Sequence, residues 1–143
     1  MFEKILEFAV IPTFHHILDF RGKGVIIFGR KIPPYSRQWA LPGLRMMKGE
    51  SISDTLNRIA ENEIGTVIDP DKAKIVGQYV GKFRSEFKRQ DIPTCYAFTA
   101  SAGEVKIDQE HFSGSRYIQG ISSIPKNTGA MYRFYLERYF ETP

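Results

Sequence analysis

Residues 42–65 read Pro-Gly-Leu-Arg-Met-Met-Lys-Gly-Glu-Ser-Ile-Ser-Asp-Thr-Leu-Asn-Arg-Ile-Ala-Glu-Asn-Glu-Ile-Gly. Ser51 followed by Asp54 has the form of a capping box, in which hydroxyl and carboxylate each take up a backbone N–H at a helix start. A helix is therefore expected from about Ser51. Gly65 is its expected stop, because glycine enters the left-handed C-terminal position at little steric cost. Stepping roughly 100° per residue from Ile52 puts Leu56 at about 40°, Ile59 at about 340° and Ala60 at about 80°. That stripe is expected to face the core. Glu63 falls at about 20°, inside the stripe and in the last turn, where burial and the negative end of the helix dipole both oppose a carboxylate. It needs a cation, and the helix alone leaves two candidates, a metal ion or a buried arginine. Arg58 lies on another side, at about 240°, and is expected to brace Glu50 across the loop. Glu61, at about 180°, points to solvent.

The 143 residues suit one domain with a core that needs no disulfide or metal staple. A hydrophobic fraction of 42% and a charged fraction of 25% are ordinary for a globular protein. The one cysteine, Cys95, cannot form an internal bridge and is expected as a small buried hydrophobe, which fits a reducing compartment. No apolar run has the length to cross a membrane, and the opening residues carry acids within their apolar run, unlike a signal peptide. A cytoplasmic location without a membrane partner is the expectation. The net charge of +4 is mild, with Lys82, Arg84, Lys88 and Arg89 clustered. Their plain reading is a solvated hairpin tip, and the functional one is attraction of a polyanion such as a nucleotide. No nucleic-acid partner is expected, since nothing matches a reading helix or a single-strand module.

Around the quoted stretch the chain alternates strands with helices. Phe2, Ile5, Leu6 and Ala9 are spaced for an amphipathic N-terminal helix over residues 1–10. Thr13 to Phe20 and Val25 to Phe28 read as strands about a turn at 21–24, with a loop through Pro33, Pro34 and Ser36 beyond. Ile75 to Phe83 and Thr94 to Ala100 read as longer strands, and Val105 to Ile107 and Arg116 to Ile118 as short ones. An aromatic-rich helix is expected over 127–141. His15 and His16 sit side by side on a strand, so one is expected to face inward and one outward, as structural groups or substrate contacts. The whole is expected to be a single α/β domain, an α/β sandwich without internal repeats.

The quoted stretch resembles the Nudix box, which runs Gly, five residues, Glu, seven residues, then Arg-Glu-apolar-x-Glu-Glu-x-Gly-apolar. Glu50, Arg58, Glu63 and Gly65 fall in register, with Ala60 at the apolar position, across a modified box at 43–65. Two metal-binding carboxylates of the box are replaced by Ile59 and Asn62, and its leading Gly is Leu44. The resemblance implies a Nudix-type α/β/α sandwich with a mixed sheet, and it favours magnesium as the partner of Glu63. In a pyrophosphohydrolase the box gathers two or three magnesium ions that activate water for attack at phosphorus. Ile59 and Asn62 cannot carry that charge, so one ion at Glu63 is expected.

That pattern of losses is similar to one branch, GDP-mannose mannosyl hydrolase, whose box reads Arg-apolar-x-x-x-Glu-apolar-Gly, as Arg58 to Gly65 does. The resemblance spans roughly residues 11–117. In that branch water attacks the anomeric carbon, and GDP leaves on a single magnesium ion. Carried over by position, the helix ligand falls on Glu63 and the backbone-carbonyl ligand on Gly43. The two arginines that steady the leaving diphosphate fall on Arg30 and Arg45. A second side-chain ligand followed by the catalytic base falls on Glu110 and His111, within Asp108-Gln109-Glu110-His111. The branch has Gln where Glu110 stands and a second Gly where Leu44 stands. An aspartate in its first strand has no secure counterpart, with Phe14 or His15 opposite it.

The implied chemistry needs leaving-group stabilisation and a base for water. Magnesium (or manganese) and guanidinium groups would neutralise the diphosphate, so no general acid is required. An imidazole suits a base near neutrality. The expected partner is a nucleotide sugar, and the terminal helices could supply a homodimer surface. Two other functions fit the same residues. One is a Nudix pyrophosphohydrolase that uses Glu110 as base or extra ligand. The other is a nucleotide-binding module without catalysis.

Overall fold

The computed structural model describes residues 9–31, 37–80, 90–100 and 105–141. Its strands are β1 (Val10–Phe20), β2 (Gly24–Arg30), β3 (Trp39–Ala40), β4 (Gly43–Arg45), β5 (Lys74–Gln78), β6 (Gln90–Ala100) and β7 (Phe112–Ile118). Helix α1 (Ile52–Ile59) runs on into a π-helical turn at Ala60–Ile64, and α2 spans Ala130–Glu141.

The strands form one mixed sheet in the order β3-β2-β1-β6-β5, with β4 also paired to β1 and β7 to β2. The β1–β6 pair is parallel and the other pairs are antiparallel. Alternate residues of the central strands feed two cores. Ile17, Val25, Ile27, Cys95 and Ala97 meet Met131, Tyr132, Tyr135 and Leu136 of α2 on one face. Phe14, Leu18, Ile26, Phe28, Tyr96 and Phe98 meet Leu56, Ile59 and Ile64 on the other. Each large side chain so buried contributes about 1.5–3 kcal/mol. The result is a three-layer α/β/α sandwich. Because both faces are covered, β1 is buried continuously from Thr13 to Leu18 and shows no polar alternation.

Several expectations change. The N-terminal helix lies outside the described residues except at its end, where Val10 already opens β1. The basic cluster at 82–89 also lies outside them. His15 and His16 are both buried, one in each core layer, because both faces of the sheet are covered at β1. Residues 105–107 are not a strand; Lys106 donates instead to the Ile64 carbonyl (2.8 Å) at the end of the π turn. Ile52 is 48% exposed, as the first turn of α1 is exposed through Asp54 and burial begins at Thr55. Helix α2 begins three residues later than 127, after Thr128 has bridged to Trp39.

Candidate active site

The capping box forms as its residues dictate. Ser51 Oγ accepts from the Asp54 N–H (3.1 Å), and Asp54 carboxylate accepts from the Ser51 N–H (3.0 Å). Gly65 ends the helix at φ 64°. Glu50, just before the cap, is held by the Arg58 guanidinium at 2.8 Å and also accepts from the Met47 N–H and the Thr55 hydroxyl. The Arg58 hydrogen bonds, reinforced by the Met47 N–H, bring the Glu50 carboxyl down to about 2. A second guanidinium nitrogen of Arg58 donates to the Arg45 carbonyl (2.6 Å). Glu50 and Arg58 thus brace the end of β4 at Arg45.

Beyond Ile59 the wider π turn changes the angular step per residue, a feature frequent at functional sites. Ala60, Glu63 and Ile64 are buried, while Glu61 and Asn62 are exposed. Glu63 is 2% exposed. One of its oxygens accepts from the Gly43 N–H (3.1 Å), and the other lies 2.8 Å from His111 Nδ1. Burial pushes its carboxyl above the usual range, against the opposing hydrogen bonds from His111 and Gly43.

Three segments converge on this carboxylate. Strand β4 brings Gly43, paired with His15 of β1. A Cβ at Gly43 would collide with the His15 ring and the Phe14 carbonyl, so only glycine lets the strands approach this closely. The turn before β7 brings His111, tied to β2 by the Lys31 N–H on the His111 carbonyl (2.8 Å) and Lys31 Nζ on the Gln109 carbonyl (2.7 Å). The end of β2 brings Arg30, paired with Phe112, whose charge acts on both Glu63 and His15. Arg45 stands two residues along β4 from Gly43, on the same face of that strand. His15 is held neutral, its pKa lowered to about 3 by burial, then by the charge of Arg30.

Glu63, Gly43 and His111 are therefore together, with Arg30 close by. Glu110 is not; its side chain is exposed, and its N–H donates to Asp108 Oδ1 (3.0 Å). The residue that sequence reasoning did not single out is Asp108. Its other oxygen lies 3.3 Å from His111 Nδ1, and its N–H donates to the Glu63 carbonyl (3.1 Å). Ligand atoms of Glu63, Asp108 and His111 all lie within 4.8 Å of one another, the one such group of three among the described residues. Two facing carboxylates with one nearly out of water fit a hard divalent cation.

The family model described as a NUDIX domain matches residues 12–123. The chain belongs to the Nudix superfamily. Among solved structures it is similar to a MutT NUDIX hydrolase of Burkholderia pseudomallei, with TM-score 0.79 and 17% identity over 91% of this chain and 98% of that one. It is also similar to the NUDIX domain of Shewanella oneidensis NrtR complexed with ADP ribose, with TM-score 0.74 and 18% identity over 93% and 88% of the two chains. Such identities speak for the fold alone. A curated relative, the low-salt glycan biosynthesis protein Agl8 of Haloferax volcanii, is 26% identical over 106 residues, 72% of this chain. The match spans 64% of that relative's length. No helix among the described residues is long and apolar enough to cross a membrane.

Proposed function

We propose that this Nudix protein hydrolyses a nucleotide sugar of the GDP-mannose type to nucleoside diphosphate and free sugar, by water attack at the anomeric carbon. The observation that carries the proposal is that the box helix delivers a single buried carboxylate. Ile59 is in the core, Glu61 and Asn62 face solvent, and Glu50 is engaged by Arg58. Attack at phosphorus with several ions draws on several carboxylates, and this helix offers one. The glycan-biosynthesis name of the Haloferax relative supports a sugar-bearing substrate.

In this reading Glu63 and the Gly43 carbonyl hold one magnesium ion (or manganese), together with a second side chain from the turn at 108–111, Glu110 by resemblance. When bound, the ion neutralises charge on the departing diphosphate. Arg30 and Arg45 steady the same oxygens, a role for which planar guanidinium groups are suited. His111 is the base. Its Nδ1 faces Glu63, and a proton held there leaves Nε2 as the acceptor for a proton from water.

Pyrophosphate cleavage is the second reading. The nucleotide-derived ligand of the Shewanella NUDIX domain favours it, as does the extra acid Glu110. The same complex also favours a module that binds nucleotides without turnover. A product assay over a panel of nucleotide sugars separates the three. Free sugar with nucleoside diphosphate supports carbon attack, sugar phosphate with nucleoside monophosphate supports the second reading, and no turnover supports the third.

A further inference from the structure

We infer that Asp108, and not Glu110, supplies the second side-chain ligand to the metal held by Glu63. The inference rests on the metal dependence of the proposed function, and it reassigns one position. Local geometry makes the choice between the two acids. Glu110 is exposed, and it is bound to the turn through its backbone N–H, which donates to Asp108 Oδ1. That hydrogen bond occupies one oxygen of Asp108 and turns the other inward, to 3.3 Å from His111 Nδ1. The Asp108 N–H also donates to the carbonyl of Glu63 itself, at 3.1 Å. The terminal π turn therefore fixes both carboxylates against each other, with their oxygens within 4.8 Å. His111 Nδ1 lies within reach of both, at 2.8 and 3.3 Å, the position a positive group takes between two acids. The Asp108 carboxylate already lies beside Glu63, and a cation shared by the two would take the place that His111 Nδ1 holds between them. The Glu110 side chain is exposed and would have to turn in from solvent to reach the same place.

The test is the affinity for Mn2+ alone, followed by the electron paramagnetic resonance of the free ion in the absence of nucleotide. Asp108→Asn keeps an oxygen for the Glu110 N–H and removes the charge. It is expected to weaken Mn2+ binding by more than the roughly ten- to hundredfold that losing an outer-shell partner costs, with melting temperature retained. Glu110→Gln is expected to change it less than about twofold, within the scatter of surface charges. Both substitutions are repeated in a His111→Gln background. A direct ligand keeps its effect there, whereas a residue that only positions His111 loses it. Asp108→Ser, which can still accept the turn hydrogen bond, replaces Asp108→Asn if that variant fails to fold. A large loss in Glu110→Gln with none in Asp108→Asn overturns the assignment, as does an Asp108 effect that vanishes without His111. Because no substrate is present, the result stands apart from the product assay. Pyrophosphate products would refute the proposed reaction and leave Asp108 in place.

Discussion

Glu63 and His111 meet at 2.8 Å although 48 positions separate them in the chain. The contact joins the last turn of the box helix to the turn that precedes β7, and burial makes it consequential. A carboxylate that is 2% exposed must hold its charge against the loss of water. It is assisted by the Gly43 N–H and by whatever positive group occupies the space beside His111 and Asp108.

Replacing Glu63 by Gln is expected to abolish metal-dependent turnover while the protein stays folded. Without metal, the variant is expected to be more stable than wild type by about 1 kcal/mol, the scale of relieving one buried, imperfectly paired polar group. The sign follows from the raised carboxyl, which marks the charged form as the costly one. Denaturant titrations with and without magnesium measure both effects. Full activity at limiting magnesium would remove Glu63 from the site.

Arg30→Ala and Arg45→Ala are each expected to raise the barrier by about 2–4 kcal/mol, as loss of a transition-state donor does. Lysine in either position is expected to restore only part of the rate, because the planar fork is lost. Steady-state kinetics decide between the roles. A change confined to KM would make these arginines binding groups alone.

The two buried histidines contribute to the acid limb of the stability profile. Both have lowered pKa values, first because burial opposes the charged ring, and His15 falls to about 3. Below roughly 6.5 the unfolded chain takes up protons that the native state refuses, so stability falls with pH. For His15 the loss runs from about 6.5 down to about 3, at about 1.4 kcal/mol per pH unit. Urea unfolding of wild type and His15→Phe at several pH values is expected to give a stability difference with that slope. A difference independent of pH would mean that the native state accepts the proton on His15.

The box helix was legible because its determinants are local. Ser51 and Asp54 cap each other, Gly65 supplies the left-handed stop, and Arg58 reaches Glu50 within two turns. The burial of Glu63 was also legible, since its neighbours form an apolar stripe. Asp108 was not, because its placement depends on a backbone hydrogen bond to the Glu63 carbonyl from a segment with no strand of its own. Residues 105–107 looked like a strand for the same reason; their partner is a helix end and not a sheet. His15 and His16 misled because an alternating strand leaves one side chain in water only when one face of its sheet is bare, and here helices cover both.

The place of attack is the centre of the proposed mechanism, and isotope transfer from water tests it most directly. Turnover of a GDP-sugar in heavy-oxygen water is expected to place the label in the sugar and none in the phosphate, with the sugar released in inverted configuration by a single displacement. His111→Gln is expected to lose about 10²–10⁴-fold in rate without moving the label. Heavy oxygen in the phosphate product would contradict carbon attack and return the site to pyrophosphate chemistry, with Glu110 the next candidate for the base.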